Sequence, residues 1–238
     1  MSIVYNYIVN RKFDKYEYPA INRDETTGKR LYRTPDDFLV PSVTTILSKT
    51  KDMTHLLEWQ KRVGKDNANK IRNQAASIGT SMHLFLECYV EEKERECDFS
   101  PTHAKAKKMA DVIIDKGLSR VSEVWGSEVQ LYYEDQYAGT TDLAGLYDDK
   151  PCIMDFKQTN KPKKKEWVED YYLQLAAYIN AHNSITGSNI ENGVIFMCSQ
   201  DFQFQKFELN EIHFQKYSYM WFKRLEKYNK MIEDGEII

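Results

Sequence analysis

The 238-residue sequence has few cysteines, no long apolar run and no large excess of either charge sign. Its four cysteines form no CxxC pair and no Cys/His cluster of zinc spacing, so we expect reduced and mostly buried thiols. They are Cys88, Cys97, Cys152 and Cys198. No apolar stretch approaches the roughly 18 residues that cross a bilayer, and the N-terminus lacks the apolar region and cleavage site of a signal peptide. We therefore expect a cytoplasmic protein with no membrane partner.

The charge balance argues against a protein that binds polyanions over its whole surface, because the formal net charge is only −3. Basic residues are instead concentrated in two stretches, 49–72 and 157–166, and each stretch has a net charge of +4. Such patches favour a localised anion-binding groove. A solvated, lysine-rich surface is the alternative interpretation.

Hydrophobic residues make up 42% of the chain, with 16 Tyr and 11 Phe, which is enough to build a buried core. The length favours a single domain over 1–238. Within it we distinguish a β-rich N-terminal arm (1–40), a helical layer (41–120) and a C-terminal core (121–238).

The apolar residues follow helical spacing before about residue 120 and then begin to alternate. The segment PSVTTIL, 41–47, fits either a strand or a capped helical turn. The expected order is helices at 53–96 and 101–116, strands at 121–134, 137–147 and 152–158, a helix at 164–183, strands near 190–199 and 203–209, and a helix at 211–233. This order predicts a mixed α/β or α+β fold with a central mixed β-sheet flanked by helices.

The segment GTTDLAGLYDDKPCIMDFKQ, 139–158, carries charged residues where core side chains are expected: Asp142, Asp155 and Lys157. Side chains alternate along a strand, so Asp155 and Lys157 share one face, roughly 7 Å apart. A two-residue loop at 148–149 places Asp142 opposite Asp155, and a four-residue loop at 148–151 places it opposite Lys157. Either loop brings the three groups to one face, whereas an odd loop or a bulge separates them.

Two neighbouring carboxylates repel each other unless a cation lies between them. Mg²⁺ and Mn²⁺ are hard ions that accept one or two carboxylates together with phosphate oxygens. A lysine beside them could position a water or neutralise charge that develops on phosphorus. The cluster is therefore a candidate site for phosphodiester hydrolysis, and an ordinary ion pair on a surface hairpin is the alternative.

Four motifs occur in a recognisable order, namely His83 in GTSMH, Gly139-Thr-Thr-Asp142, Asp155-Phe-Lys157 and Gln174-Leu-Ala-Ala-Tyr178. This order resembles the PD-(D/E)XK nuclease superfamily, and within it the RecB-like branch. The segments PSVTTIL, IMDFKQTNKPK and YYLQLAAYINAHN also resemble mitochondrial single-strand DNA exonucleases. The resemblance runs from about residue 41 to the C-terminal helix and implies a restriction-endonuclease-like catalytic core at 121–238. Because no Arg/Ser-rich transit peptide is present, a bacterial or phage source is expected.

The resemblance also implies roles for single residues. Asp142 and Asp155 would bind the metal, Mg²⁺ or Mn²⁺, together with the backbone carbonyl of Phe156, and Lys157 would be the catalytic lysine. Some RecB-like nucleases hold an iron–sulfur cluster with clustered C-terminal cysteines. Here Cys198 stands alone near the C-terminus, so no cluster is expected.

Four further residues are candidates on the same grounds. His83 would approach the metal from the helical layer, and a hydrogen-bonded histidine at the edge of the core is the alternative. Gln174 and Tyr178 lie four residues apart, hence on one helical face, and would orient the lysine, a water or the DNA backbone. Glu128 occupies a position where related enzymes often have another carboxylate.

The resulting hypothesis is a metal-dependent DNA exonuclease that prefers single-stranded DNA, with replication or recombination proteins as further partners. A structure-specific or flap endonuclease on the same site and a non-catalytic DNA-binding subunit remain open. Trp59 and Tyr89 could stack on bases, but core packing is their expected role. Phosphate contacts are expected from Lys61, Arg62, Lys65, Lys70, Arg72, Lys161 and Lys163.

Overall fold

The computed structural model describes residues 10–24, 31–93 and 100–237. Cys97, the end of the predicted helix 53–96 and parts of the N-terminal arm lie outside the described residues. The helices are α1 (Val43–Thr50), α2 (Thr54–Val63), α3 (Lys65–Val90), α4 (Pro101–Lys116), α5 (Glu169–Thr186) and α6 (Glu211–Glu233). The strands are β1 (Asn10–Arg11), β2 (Asn22–Asp24), β3 (Leu31–Arg33), β4 (Leu39–Pro41), β5 (Val121–Tyr133), β6 (Tyr137–Tyr147), β7 (Lys150–Thr159), β8 (Asn192–Ser199) and β9 (Phe204–Leu209).

The central sheet is mixed and has the strand order β1-β5-β6-β7-β8-β9. The strands β5, β6 and β7 form the predicted antiparallel meander. Strand β8 runs parallel to β7, and α5 connects the two strands as a crossover helix. Strand β9 returns antiparallel at one edge, and a small second sheet has the order β2-β3-β4. The predicted fold class, a central mixed sheet flanked by helices, is confirmed.

Helices cover both faces of the central sheet, since alternate side chains of its strands are buried on opposite sides. Ile153 and Ile195 lie in a core with α1, α5 and α6, whereas Met154 and Phe196 lie in a core with α3 and α4. The helical segment 41–120 therefore contributes to both layers. The buried strands also hold two free thiols, Cys152 and Cys198, as the composition predicted.

Several helix boundaries differ from those predicted, for local reasons. The segment 41–47 is the start of a capped helix, because Ser42 Oγ accepts a hydrogen bond of 3.0 Å from the Thr45 N–H. The predicted helix at 53–96 is interrupted at Gly64, whose φ of 83° is incompatible with a helix. The predicted helix at 164–183 begins only at Glu169, because Lys165–Trp167 forms a 3-10 turn.

The loop between β6 and β7 decides the question that the sequence left open. Tyr147 pairs with Lys150, so the loop consists of Asp148 and Asp149 alone, with φ values of 49° and 60°. Two positive φ values are typical of the tight hairpin turn that matches strand twist. With a two-residue loop, the register of the two strands, continued by one residue, places Asp142 opposite Asp155.

Among the described residues, no helix combines the length and the hydropathy that a membrane span requires.

Candidate active site

A cavity of about 600 Å³ opens where β6 and β7 separate, between α3 and α5. Among the described residues, its walls come from three helices, α1, α3 and α5, and four strands, β3, β5, β6 and β7, which are distant in the sequence but adjacent in the fold. Phe156 does not line it among the described residues, and its ring is buried beneath α3 and α4. The other seven residues predicted as catalytic or metal-binding all line the cavity: His83, Glu128, Asp142, Asp155, Lys157, Gln174 and Tyr178.

Strands β6 and β7 separate at this point because hydrogen bonds between side chains and backbone replace the backbone hydrogen bonds that join the two strands. The paired register of β6 and β7 ends at Leu143 and Met154. Beyond that pair, the Phe156 N–H donates to Asp142 Oδ2 at 2.5 Å, and Thr141 Oγ1 donates to the Met154 carbonyl at 3.2 Å. The backbone groups remain satisfied while the strands separate, and the Asp142 carboxylate is held at the opening.

Asp142 is fixed by a second contact, from the helical layer. Its Oδ1 lies 3.2 Å from His83 Nδ1, which projects from α3. Burial raises the pKa of Asp142, but the charge of His83 and its hydrogen bond outweigh burial and lower it. Burial likewise lowers the pKa of His83, but the charge and hydrogen bond of Asp142, with the charge of Asp155, together outweigh burial and raise the pKa to about 9. At neutral pH the two groups therefore form an ion pair.

Asp155 and Lys157 form a second buried pair on β7, in which the ammonium contacts Asp155 Oδ2. Burial raises the pKa of Asp155 to about 6, Lys157 opposes this rise, and Asp142 adds to it. Burial lowers the pKa of Lys157, but both aspartates outweigh it and raise the pKa. Despite the contact with Lys157, Asp155 Oδ2 accepts no well-directed hydrogen bond from the described residues. In the part of the chain that the structure describes, Lys157 is thus the one ionic partner of this buried carboxylate oxygen.

Glu128 reaches the site from β5 and is exposed at the mouth of the cavity. Desolvation, followed by the charge of Asp142, raises its pKa to about 7. One ligand atom each from His83, Glu128 and Asp142 lies within 4.8 Å of the other two. Among the described residues this group does not include Asp155, which is engaged by Lys157.

The donor atoms around the cavity suit a hard divalent cation. Carboxylate oxygens predominate, one imidazole nitrogen joins them, and no cysteine lines the cavity among the described residues. Mg²⁺ and Mn²⁺ favour such oxygen-rich sites. The under-compensated oxygen of Asp155 gives a further reason for a cation there, since a buried charge needs compensation. The residues therefore fit the predicted metal.

Gln174 and Tyr178 lie one turn apart on α5, and Gln174 Nε2 donates to Tyr178 Oη at 3.0 Å. The tyrosine packs against Gly139 of β6, where a Cβ atom would lie only 2.7 Å from Tyr178 Cε1. The glycine of the GTTD motif therefore permits the close approach between this helix and the strand. Burial raises the pKa of Tyr178, so its phenol stays neutral.

The cavity also has lining residues that sequence reasoning missed. Ser42 and Thr44 reach it from the first turn of α1, and Tyr32 reaches it from β3. Glu87 lies one turn after His83 on α3. For Ser42 and Thr44 the sequence contains a signal, the segment PSVTTIL. Its capping serine predicts that a helix begins there, but not that the first turn of the helix faces the cavity.

The predicted DNA-binding residues lie outside the cavity. Those on α2 and the first half of α3 are exposed, and Lys161 and Lys163 lie in the loop after β7. Burial and the nearby Lys51 lower the pKa of Lys163. Trp59 and Tyr89 are half-buried. The α2 and α3 residues in question are Lys61, Arg62, Lys65, Lys70 and Arg72.

No family model matches the chain. It is 30% identical over 220 residues to mitochondrial genome maintenance exonuclease 1 of Xenopus tropicalis, covering 83% of this chain and 59% of that protein. It is 28% identical over 215 residues to the human protein of the same name, covering 84% of this chain and 61% of that protein. The chain thus spans about three fifths of the length of the curated relatives it matches.

A solved structure from Eubacterium rectale is 12% identical, with a TM-score of 0.48 over 68% of this chain and 69% of that chain, a likeness too low to bear on function. The similarity in sequence to proteins named exonuclease, in contrast, extends over most of the chain. It supports a nuclease family for this chain.

Proposed function

We propose that the chain is a metal-dependent DNA exonuclease that hydrolyses phosphodiester bonds and prefers single-stranded DNA, with a role in DNA replication, repair or recombination. The observation that carries the proposal is the convergence of Asp142, Asp155 and Lys157 with His83 and Glu128 on one cavity. The similarity to proteins named mitochondrial genome maintenance exonuclease 1 supports it. The motif order would place the chain in the RecB-like branch of the PD-(D/E)XK nucleases, as one nuclease domain.

The metal would be Mg²⁺ or Mn²⁺, held by Asp142, Asp155 and Glu128, with the Phe156 carbonyl and His83 as further ligands. His83 would bind the ion only as the neutral imidazole, because the protonated ring of the ion pair with Asp142 has no free lone pair. Such an ion polarises a phosphoryl oxygen and lowers the pKa of a bound water. The protein's part is to hold the carboxylates in place. For Asp142 the Phe156 N–H and the His83 ring do so, one on each oxygen.

Lys157 would act on the phosphate directly. Its ammonium lies beside Asp155 at the wall of the cavity, so it can donate hydrogen bonds to a phosphoryl oxygen as negative charge develops there. Gln174 would orient the Tyr178 hydroxyl, which can donate a hydrogen bond to a water or a phosphate. The basic residues of α2, α3 and the 161–163 loop would guide the strand by phosphate contacts, so binding should weaken as salt increases.

The test is hydrolysis of 5′- and 3′-end-labelled linear DNA, single- and double-stranded, with Mg²⁺, Mn²⁺ or EDTA. We expect products released from the ends of single strands, dependence on a divalent ion, and loss of activity in Asp155→Ala and Lys157→Ala. Lys150→Ala, an exposed lysine at the other end of β7, is the matched control and should keep full activity.

Three outcomes would overturn the proposal or part of it. Undiminished activity in both site variants would refute the site. Cleavage of circular single-stranded DNA would replace the exonuclease with an endonuclease on the same residues. DNA binding without hydrolysis under any metal would replace the enzyme with a DNA-binding subunit.

A further inference from the structure

Trp167 is the one exposed indole among the four tryptophans of the chain. Its residue surface is 59% accessible, whereas Trp125 and Trp221 are buried and Trp59 is half-buried. Exposing so large an apolar side chain forgoes the free energy that its burial would contribute. An exposed indole in a well-packed fold therefore raises the question of what it contacts.

The backbone holds the indole of Trp167 outward. Trp167 is the last residue of the 3-10 turn Lys165–Trp167, and its backbone N–H donates to the Lys164 carbonyl at 3.0 Å. The next residue, Val168, is completely buried in the core with α5 and anchors the turn. The outward position of the ring thus follows from a turn that the next residue, Val168, anchors in the core.

A positive charge lies close to the ring. Lys164 Nζ lies 5.3 Å from the Trp167 ring centroid, within the range of a cation–π contact. The stretch 157–166 that leads to the ring has a net charge of +4. An exposed aromatic face beside lysines has the chemistry that single-stranded nucleic acids bind, with bases stacking on the ring and phosphates contacting the ammonium groups.

One aromatic residue, Tyr171, links this turn to the candidate active site. Lys157 Nζ lies 5.4 Å from the ring centroid of Tyr171, in the first turn of α5. The Tyr171 N–H donates to the carbonyl of Val168 at 3.0 Å, directly after Trp167. Tyr171 therefore connects the proposed catalytic lysine with the turn that presents the indole.

We propose that Trp167 and Lys164 form a binding subsite for single-stranded DNA outside the cavity, where the indole stacks on a base and Lys164 contacts a phosphate. The inference rests on the proposed function for the nature of the substrate. Paired bases in a duplex interior do not present their faces, so the subsite favours single strands over duplex. Stacking is tolerant of sequence, because every base has an aromatic face.

The experiment is binding of a fluorescein-labelled oligothymidylate in EDTA, measured by anisotropy, so that hydrolysis plays no part. Trp167→Ala should weaken binding roughly fivefold to a hundredfold, the loss expected for one stacked base. Trp167→Phe should keep most of the affinity because it keeps an aromatic face. Tyr219→Ala is the matched control, an exposed ring on α6 with Lys223 Nζ at 6.0 Å, and it should bind as the wild type does.

A second readout separates this subsite from the site of hydrolysis. With Mg²⁺, cleavage of thymidine 5′-monophosphate p-nitrophenyl ester, which carries a single nucleotide, should be unchanged in Trp167→Ala, because Trp167 is not among the described residues that line the cavity. Wild-type affinity of Trp167→Ala for the oligonucleotide would overturn the subsite and leave the nuclease proposal standing. Weakened binding in that variant, beside a wild type that cleaves neither DNA nor the ester, would support the subsite and overturn the nuclease.

Discussion

Glu123 and Asp155 are both buried carboxylates of the central sheet, and their surroundings differ. Glu123 on β5 has three partners, with Lys12 at 2.6 Å, Trp125 Nε1 at 2.5 Å and Lys15 at 3.4 Å. The hydrogen bonds from Lys12 and Trp125 outweigh burial and lower the pKa of Glu123 to about 2. Its charge is thus compensated by the protein itself.

Within the described part of the chain, Asp155 lacks such a set of donors. It has the ammonium of Lys157 on one side and the repulsion of Asp142 nearby, and burial raises its pKa to about 6. Glu123 is therefore a carboxylate that stabilises the fold, whereas the charge of Asp155 is compensated less completely and can interact with a further cation. On our proposal, that cation is the catalytic metal.

The largest expected effect is on hydrolysis in Asp142→Asn. The amide can still accept from the Phe156 N–H but lacks the negative charge, so kcat should fall by at least about a hundredfold, comparable to the loss of one key electrostatic contact. Asp148→Asn, in the turn of the same hairpin, should keep the wild-type rate. Equal rates in the two variants would contradict the assignment of Asp142.

The second effect is stabilisation by metal. At a free Mg²⁺ concentration of 100 times its dissociation constant, the free energy of unfolding of the wild type should increase by about 2.7 kcal/mol. Asp155→Asn should lose most of this increase, and Glu123→Gln should keep it. Urea unfolding with Mg²⁺ and with EDTA measures the difference, and an equal increase in both variants would remove the distinction between the carboxylates.

The third effect concerns the fold. Glu123→Gln should lower the free energy of unfolding at pH 7 by about 1–3 kcal/mol, because its partners lose a charged acceptor. The folded-state pKa, about 2, is below the ordinary 4.5, so the stabilisation is complete above pH 4.5 and is lost as pH falls towards 2. The difference between wild type and variant in urea titrations should therefore shrink over that range. A difference that stayed constant from pH 7 to pH 2.5 would refute the role of the charge.

The smallest effect is expected at the turn between β6 and β7. Asp149 has a φ of 60°, where glycine is unstrained, so Asp149→Gly should raise the free energy of unfolding by about 0.5 kcal/mol. Its hydrogen bond with Ser122 is exposed, and losing it should cost little. Thermal unfolding measures the change, hydrolysis should be unaffected, and a marked destabilisation would show that the turn depends on the aspartate.

Strand alternation predicted the part of the site that lies within one strand. Asp155 and Lys157 were placed on one face from their spacing, and the structure has them in contact. The bounds of β6, α4 and α6 were also predicted from periodicity and caps. These features depend on residues that are close together in the sequence, so local patterns are sufficient to predict them.

The remaining parts depend on contacts across the fold or on irregular backbone. A two-residue and a four-residue loop between β6 and β7 were both compatible with the alternation of side chains. Asp148 and Asp149, which both have positive φ values, form the two-residue loop. Glu128 follows a register shift between Val124 and Gly126 and itself has a φ of 48°, so alternation along β5 could not place it. The break between α2 and α3 was missed because helical spacing continues on both sides of Gly64.

The most direct test of the account is the same chemical change at the two compared positions. Asp155→Asn and Glu123→Gln each replace a buried carboxylate of the sheet with its amide, and Mg²⁺-dependent hydrolysis of end-labelled single-stranded DNA is measured for both at a temperature where each is folded. The account predicts that Asp155→Asn loses at least about a hundredfold in rate, while Glu123→Gln keeps the wild-type rate despite its lower stability. Retained hydrolysis in Asp155→Asn, or an equal loss in both variants, would contradict it.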